Sequence, residues 1–167
     1  RSAETREVRD RRIAMAHLIV PIDIDGAPRC CQPETKRTEA VLTGAATEIG
    51  PNQWEIYRAY PGGAVKDGAV KFGICCATQA VITLNGMVET LNGGYDWIRV
   101  LHNGQEVFFH ESTDTSEDQN ETVAAGPFVV TLALEDRPCG HIIEITGSTG
   151  DEVANNDVWW QASVAIS

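Results

Sequence analysis

Long hydrophobic runs, helical periodicity and clustered basic charge are all scarce in this chain of 167 residues. The longest nearly apolar stretch, residues 13–24, is broken by His17, Pro21 and Asp23, too short and too polar to cross a bilayer as a helix. Lys and Arg total 13 against 24 Asp and Glu, a formal charge of −11, so a surface built on nucleic-acid phosphate contacts is not expected. Catalytic signatures are missing as well. No serine stands in a Gly-x-Ser-x-Gly elbow, and Gly147-Ser148-Thr149-Gly150 has no lysine to complete a phosphate cradle. The cysteines form no Cys-x-x-Cys pair, which removes the common spacing of a structural zinc site. No repeat of fixed period is present, which excludes solenoids and propellers. The expectation is a domain that is not an enzyme.

What the chain does have is turn chemistry between short β-rich runs. Asn-Gly occurs three times in residues 79–111, at Asn85-Gly86, Asn92-Gly93 and Asn103-Gly104. Both residues tolerate the positive φ that tight hairpins need. The runs between them are rich in β-branched and aromatic side chains, which suit a pleated surface. The economical reading is an up-and-down meander of four strands, roughly 79–84, 87–91, 95–101 and 105–110. Upstream, Leu18, Val20, Ile22 and Ile24 alternate, and Pro21 confines that run to an edge strand or an extended arm. A strand over 38–46 and a turn at Gly50-Pro51-Asn52 follow. Trp54, Ile56, Arg58 and Tyr60 then alternate with Glu55, Tyr57 and Ala59, and Val70, Phe72, Ile74 and Cys76 alternate in turn. Strands are expected again at 128–134, 141–146 and 158–166, the last with Val158, Trp160, Ala162, Val164 and Ile166 on one face. Polar loops fill 112–121 and 147–157. The predicted fold is all-β: an antiparallel β-sandwich, jelly-roll-like, of about nine to eleven strands. Residues 1–25 are read as an N-terminal arm and edge strand, and 26–167 as a single sandwich domain.

Two places resemble the CUB family of extracellular jelly-roll modules. Gly94-Tyr95-Asp96-Trp97-Ile98-Arg99-Val100, followed by Asn103-Gly104, is similar to that family's Tyr-Asp-x-Leu-x-Val strand and glycine turn. Ile142-Ile143-Glu144-Ile145, a Ser- and Asp-containing loop, and Trp160-Gln161-Ala162-Ser163-Val164 resemble its final hairpin. Together these cover under half of the chain, and Gly93-Gly94 stands where the family usually places a cysteine. The resemblance implies a jelly roll, with Asp96 and a loop acid such as Asp151 as calcium ligands. Independently, the acidic stretches 114–121 and 151–157, the latter ending at Asp157, offer the oxygen donors a hard cation wants, though neither has EF-hand spacing. No other cofactor is expected.

Five cysteines, Cys30, Cys31, Cys75, Cys76 and Cys139, are disulfide candidates. Three readings stand open: reduced buried thiols, internal bridges, and a bridge to another subunit, since the odd count leaves at least one without an internal partner. Neighbours on a strand point to opposite faces, so Cys75 and Cys76 should look different ways. Residues 1–12 carry five Arg, including Arg9, Arg11 and Arg12, and a net +2, leaving −13 on the rest. Such an arm could dock on a neighbouring copy. Trp159 and Trp160 are adjacent, so one faces outward, and Trp97 is a second contact candidate for a subunit or a sugar ring. The leading expectation is a structural subunit of an extracellular assembly, a phage or virus particle of decoration, collar or neck type first. Its partners would be copies of itself and other structural proteins, on a virion surface or otherwise outside a cell. The alternative is a secreted CUB-like module that binds carbohydrate or protein.

Overall fold

The computed structural model describes residues 39–60, 64–89, 96–112, 122–134, 140–149 and 157–167. Ten strands run in order: β1 (Val41–Gly44), β2 (Thr47–Gly50), β3 (Gln53–Ala59), β4 (Asp67–Ile74), β5 (Gln79–Glu89), β6 (Trp97–His102), β7 (Gln105–Glu111), β8 (Thr122–Ala133), β9 (His141–Ser148) and β10 (Val158–Ile166). There is no helix among the described residues. The strands form two antiparallel sheets, ordered β1-β4-β9-β6-β7 and β2-β3-β10-β5-β8. Only β2–β3 and β6–β7 are hairpins. Every other link carries the chain from one sheet to the other, as in a jelly roll. The expected all-β sandwich is what forms. The expected arm and edge strand over 1–25, and the start of the domain at 26, lie outside the described residues.

The Asn-Gly pairs divide by what the glycine does. At the β6–β7 turn, Asn103 (φ 52°) and Gly104 (φ 79°) take the paired left-handed conformations of a tight two-residue hairpin. The turn is pinned to β9: Asn103 N–H donates to the Ile142 carbonyl (2.8 Å), and Ile142 N–H donates to Asn103 Oδ1 (2.8 Å). Asn85-Gly86 is not a turn. It lies inside β5, where a Cβ on Gly86 would sit 2.6 Å from Trp160 Cε3, so the glycine makes room for the indole. The four-strand meander is therefore corrected: residues 79–89 are one strand of the second sheet, and the chain then crosses to β6 in the first. Asn92-Gly93 lies outside the described residues. The resemblance's final hairpin is also corrected, because β9 and β10 belong to different sheets.

β3 breaks its own alternation. Trp160 pairs with Tyr57 but the next residue, Gln161, pairs with Glu55, so Ile56 is an extra residue on β3. As a result Trp54, Ile56 and Tyr57 all point into the core, and Arg58, expected beside Trp54 and Ile56, turns outward. Room for the bulge comes from the facing sheet. Gly44, Gly68 and Gly147 pair in one row across β1, β4 and β9. A Cβ on Gly68 would overlap the Ile56 carbonyl oxygen, and one on Gly147 would lie 3.3 Å from both Ile56 Cγ2 and Tyr57 Cε1.

Around this contact Trp54 stacks on Phe72 with ring centroids 5.2 Å apart. At the β7/β8 end Phe128 meets Phe108 (5.4 Å), His110 (4.6 Å) and Trp160 (6.2 Å), so the core is closed there by rings from both sheets. Burial pushes the His110 pKa below its ordinary value.

Gly68→Ala should lose about 3 kcal/mol or fail to fold, since backbone rather than a mobile side chain blocks the added methyl. Gly104→Ala, with open space around it, should lose only about 1 kcal/mol from its positive φ. Urea denaturation of the two variants checks the ranking.

Candidate functional site

Three clusters gather chemistry beyond packing. The first follows from the β3 bulge. Once Arg58 is outside, its Nε and Nη2 both donate to Glu55 Oε2 (3.0 and 2.9 Å), and that bond raises the guanidinium pKa. Gln161 Nε2 donates to the same oxygen at 3.4 Å. The guanidinium stands 5.7 Å from the centroid of Trp159, its cross-strand neighbour on β10. Trp159 is half-buried on the outer face of the second sheet, while Trp160 is fully inside, as the one-in, one-out rule requires.

The outer face of the first sheet carries a matching group. Arg99 lies 5.5 Å from the Trp97 centroid, and Phe109 on β7 tilts against the same indole at 6.4 Å. Both contact tryptophans are thus half-exposed and each is flanked by an arginine. Neither arginine was singled out in the sequence. Arg58 was hidden by the bulge, while Arg99 shares Trp97's strand face and was legible from alternation.

The second cluster is buried. Asp96, 2% exposed, precedes β6. Its Oδ1 accepts from the Tyr57 hydroxyl (3.0 Å) and its Oδ2 from Glu89 N–H (2.7 Å). Asp96 N–H donates to Ser112 Oγ (3.0 Å), and Ser112 N–H donates to the Asp96 carbonyl (2.8 Å). The bond ties the start of β6 to β3 across the sandwich. Burial outweighs these bonds and pushes the Asp96 carboxyl up to about 6, with the neighbouring Glu89 carboxylate adding to the rise. Burial and Asp96 also hold the Tyr57 hydroxyl well above its ordinary range.

Asp96 thus spends both carboxylate oxygens inside the protein. Of the other calcium candidates, Asp157 is exposed just before β10 and Asp151 lies outside the described residues. No group of three or more His, Cys, Asp or Glu side chains gathers around a metal-sized space among the described residues.

The third cluster pairs residues 39 positions apart. His102 Nε2 and His141 Nδ1 are 2.9 Å apart, and His141 Nε2 is 3.2 Å from the Leu134 carbonyl oxygen. A carbonyl needs a donor, so His141 Nε2–H donates to Leu134, while His141 Nδ1 faces His102 Nε2, which Asn103 Nδ2 also approaches at 3.4 Å. The sequence held no signal for this pair, which only the β6–β9 register creates.

The cysteines separate. Cys75 is buried and free just past the end of β4, a correction to its place among the disulfide candidates: its thiol is enclosed by the protein. Cys76, at φ 54°, turns away from it and is disulfide-bonded. Cys30, Cys31 and Cys139 lie outside the described residues, as do Arg9, Arg11 and Arg12. Cys75 by itself accounts for the odd count, so parity no longer requires a bridge to another subunit.

No protein-family model and no curated protein matches the chain. Among solved structures it is similar to a family 35 carbohydrate-binding module from Clostridium thermocellum, at 13% identity and TM-score 0.34, over 77% of this chain and 92% of that one. It is also similar to a chain of infectious bursal disease virus, Gx strain, at 12% identity and TM-score 0.33, over 75% of this chain and 30% of the viral one. A family two carbohydrate esterase from Clostridium thermocellum matches at 14% identity and TM-score 0.28, over 77% and 33%. At TM-scores this low the likenesses carry no argument. In the described residues no helix is long and apolar enough to cross a membrane.

The raised Asp96 pKa sets a sign. Between its ordinary 3.8 and about 6 the folded protein holds a proton that the unfolded chain has released. Stability from the neutral acid is therefore complete below the lower value and lost as pH rises through the upper one, by roughly 3 kcal/mol from this group alone. Asp96→Asn should flatten that dependence, measured as urea midpoints from pH 4 to 7; a slope equal to the wild type's would contradict the assignment. Tyr57→Phe should cost about 1–3 kcal/mol at neutral pH by stranding Asp96 Oδ1.

Proposed function

We propose that this chain is a non-enzymatic structural subunit of an extracellular assembly, with a virus or phage particle as the first setting. One observation carries the reading. Of the seven large hydrophobic residues left exposed among the described residues, four, Val107, Phe109, Val123 and Val129, stand on β7 and β8, the edge strands stacked at one end of the sandwich. A side chain of this kind on a sheet edge is a liability in a lone protein and a contact in an assembled one. Copies associate in this reading by packing, with the basic residues 1–12 docking on the acidic body of a neighbouring copy, and Cys30, Cys31 and Cys139 offer a covalent link between subunits.

Charge attraction of that kind weakens as ions screen it over about 10 Å at 0.1 M salt. Sedimentation velocity should show multimers that weaken between low and high salt. Reversing Arg9, Arg11 and Arg12 to Glu should weaken them further and remove most of the salt dependence. Equal association by the reversed and unmodified chains would exclude the arm.

A second reading, a secreted carbohydrate-binding module, is favoured by the two half-exposed indoles, Trp97 and Trp159. Each has polar or charged neighbours fixed beside it, Arg99 at one and Arg58, Glu55 and Gln161 at the other. An apolar ring face with hydrogen-bonding groups at its rim suits a pyranose. Calorimetric titration with a panel of soluble oligosaccharides tests this. Binding lost in Trp159→Ala or Trp97→Ala would support it, and no heat with any sugar would remove it.

A further inference from the structure

The sandwich has four sheet edges, and they are not alike. β1 and β2 are each four residues long, and β2 carries Glu48. β7 is seven residues long and carries Glu106 and Glu111. Short length and charge are the usual ways of discouraging strand addition at an edge. β8 has neither. It runs for twelve residues without one ionisable side chain, and its single proline, Pro127, sits beside a bulge in the first half. Beyond Pro127, residues 128–133 stay in unbroken register with β5, from Phe128↔Leu84 to Ala133↔Gln79. Alternate residues there direct backbone N–H and C=O groups away from β5, and among the described residues no strand receives them. On the outer sheet face Val129 is 61% exposed. A neutral, β-branched strand of this length, rooted by Phe128 against Phe108, His110 and Trp160, is firmly held, and no strand among the described residues covers its edge.

From this we infer that β8 pairs with β8 of a second copy, antiparallel and in isologous contact, joining two second sheets into one continuous ten-stranded sheet. The occupant is argued from charge and symmetry. Two bodies of net charge −11 repel over most of their surfaces, and an uncharged strand is where they approach at least cost. An antiparallel strand pair is its own two-fold mate, so one surface serves both partners. The inference rests on the assembly reading and names its contact.

The test uses the full chain and a double variant, Val129→Lys with Thr131→Lys. Both positions are exposed, and with the two-fold at Val130 the lysine at each would stand opposite the lysine at the other on the second copy. The variant also lowers net negative charge, so a loss of association cannot be blamed on general repulsion. The expected result is an association weakened at least about tenfold in sedimentation equilibrium, while Ile49→Lys on β2, the opposite edge of the same sheet, associates as the wild type does. In the unmodified chain, amide exchange at residues 128–133 should slow as protein concentration rises, which keeps the test valid if the variant misfolds. Association that survives the double variant would overturn the β8 contact and leave the assembly reading standing. A wild type that never associates would overturn both. Amides at 128–133 protected equally at every concentration would mean that another segment of the same chain covers the edge, and would overturn it too.

Discussion

The extra residue in β3 is the constraint on which the rest of the molecule depends. By placing Ile56 and Tyr57 side by side against the core it forces close approach between the sheets. It tolerates no side chain at Gly68 and little at Gly147 on the facing strands. The same shift of one position sends Arg58 outward to Glu55 and Trp159, and sends the Tyr57 hydroxyl inward to Asp96. One bulge therefore sets an inner contact, an outer one and the anchor that fixes where β6 begins. Bulges re-aim side chains at the places where a sheet must do something particular, and β3 is such a place.

Tyr57 and Asp96 put the energetic cost in view. A buried carboxyl with its pKa pushed up to about 6 is held in the interior against its preference for water. It stays because the Tyr57 hydroxyl, the Glu89 amide and Ser112 leave neither of its oxygens nor its backbone unsatisfied. That Tyr57 lies on β3 and Asp96 just ahead of β6, in opposite sheets, makes the bond a check on correct docking of the two layers. The calcium role that the CUB-like stretch suggests for Asp96 would have to compete with all of these partners.

Much of the fold was legible in the residues because period-two alternation is a direct consequence of strand geometry. β10, with Val158, Trp160 and Ala162 inward, and β4, with Val70, Phe72 and Ile74 inward, follow it closely. Legibility failed where a glycine had a second job. Asn85-Gly86 and Asn103-Gly104 are the same dipeptide, yet one makes room for Trp160 and the other turns a hairpin, a difference fixed by residues 70 or so positions away. It failed again at Arg58, since a bulge leaves no mark in the local pattern. The outward tryptophans were readable from adjacency alone, whereas the His102–His141 pair and the contrast between β8 and the other edges depend on which strands become neighbours. Sheet order is a long-range property, and alternation does not encode it.

The central claim is that the chain associates with other copies of itself. Native mass spectrometry of the unmodified full chain, with and without reductant, tests this most directly. Multimers are predicted without reductant. A monomer under both conditions would contradict the claim.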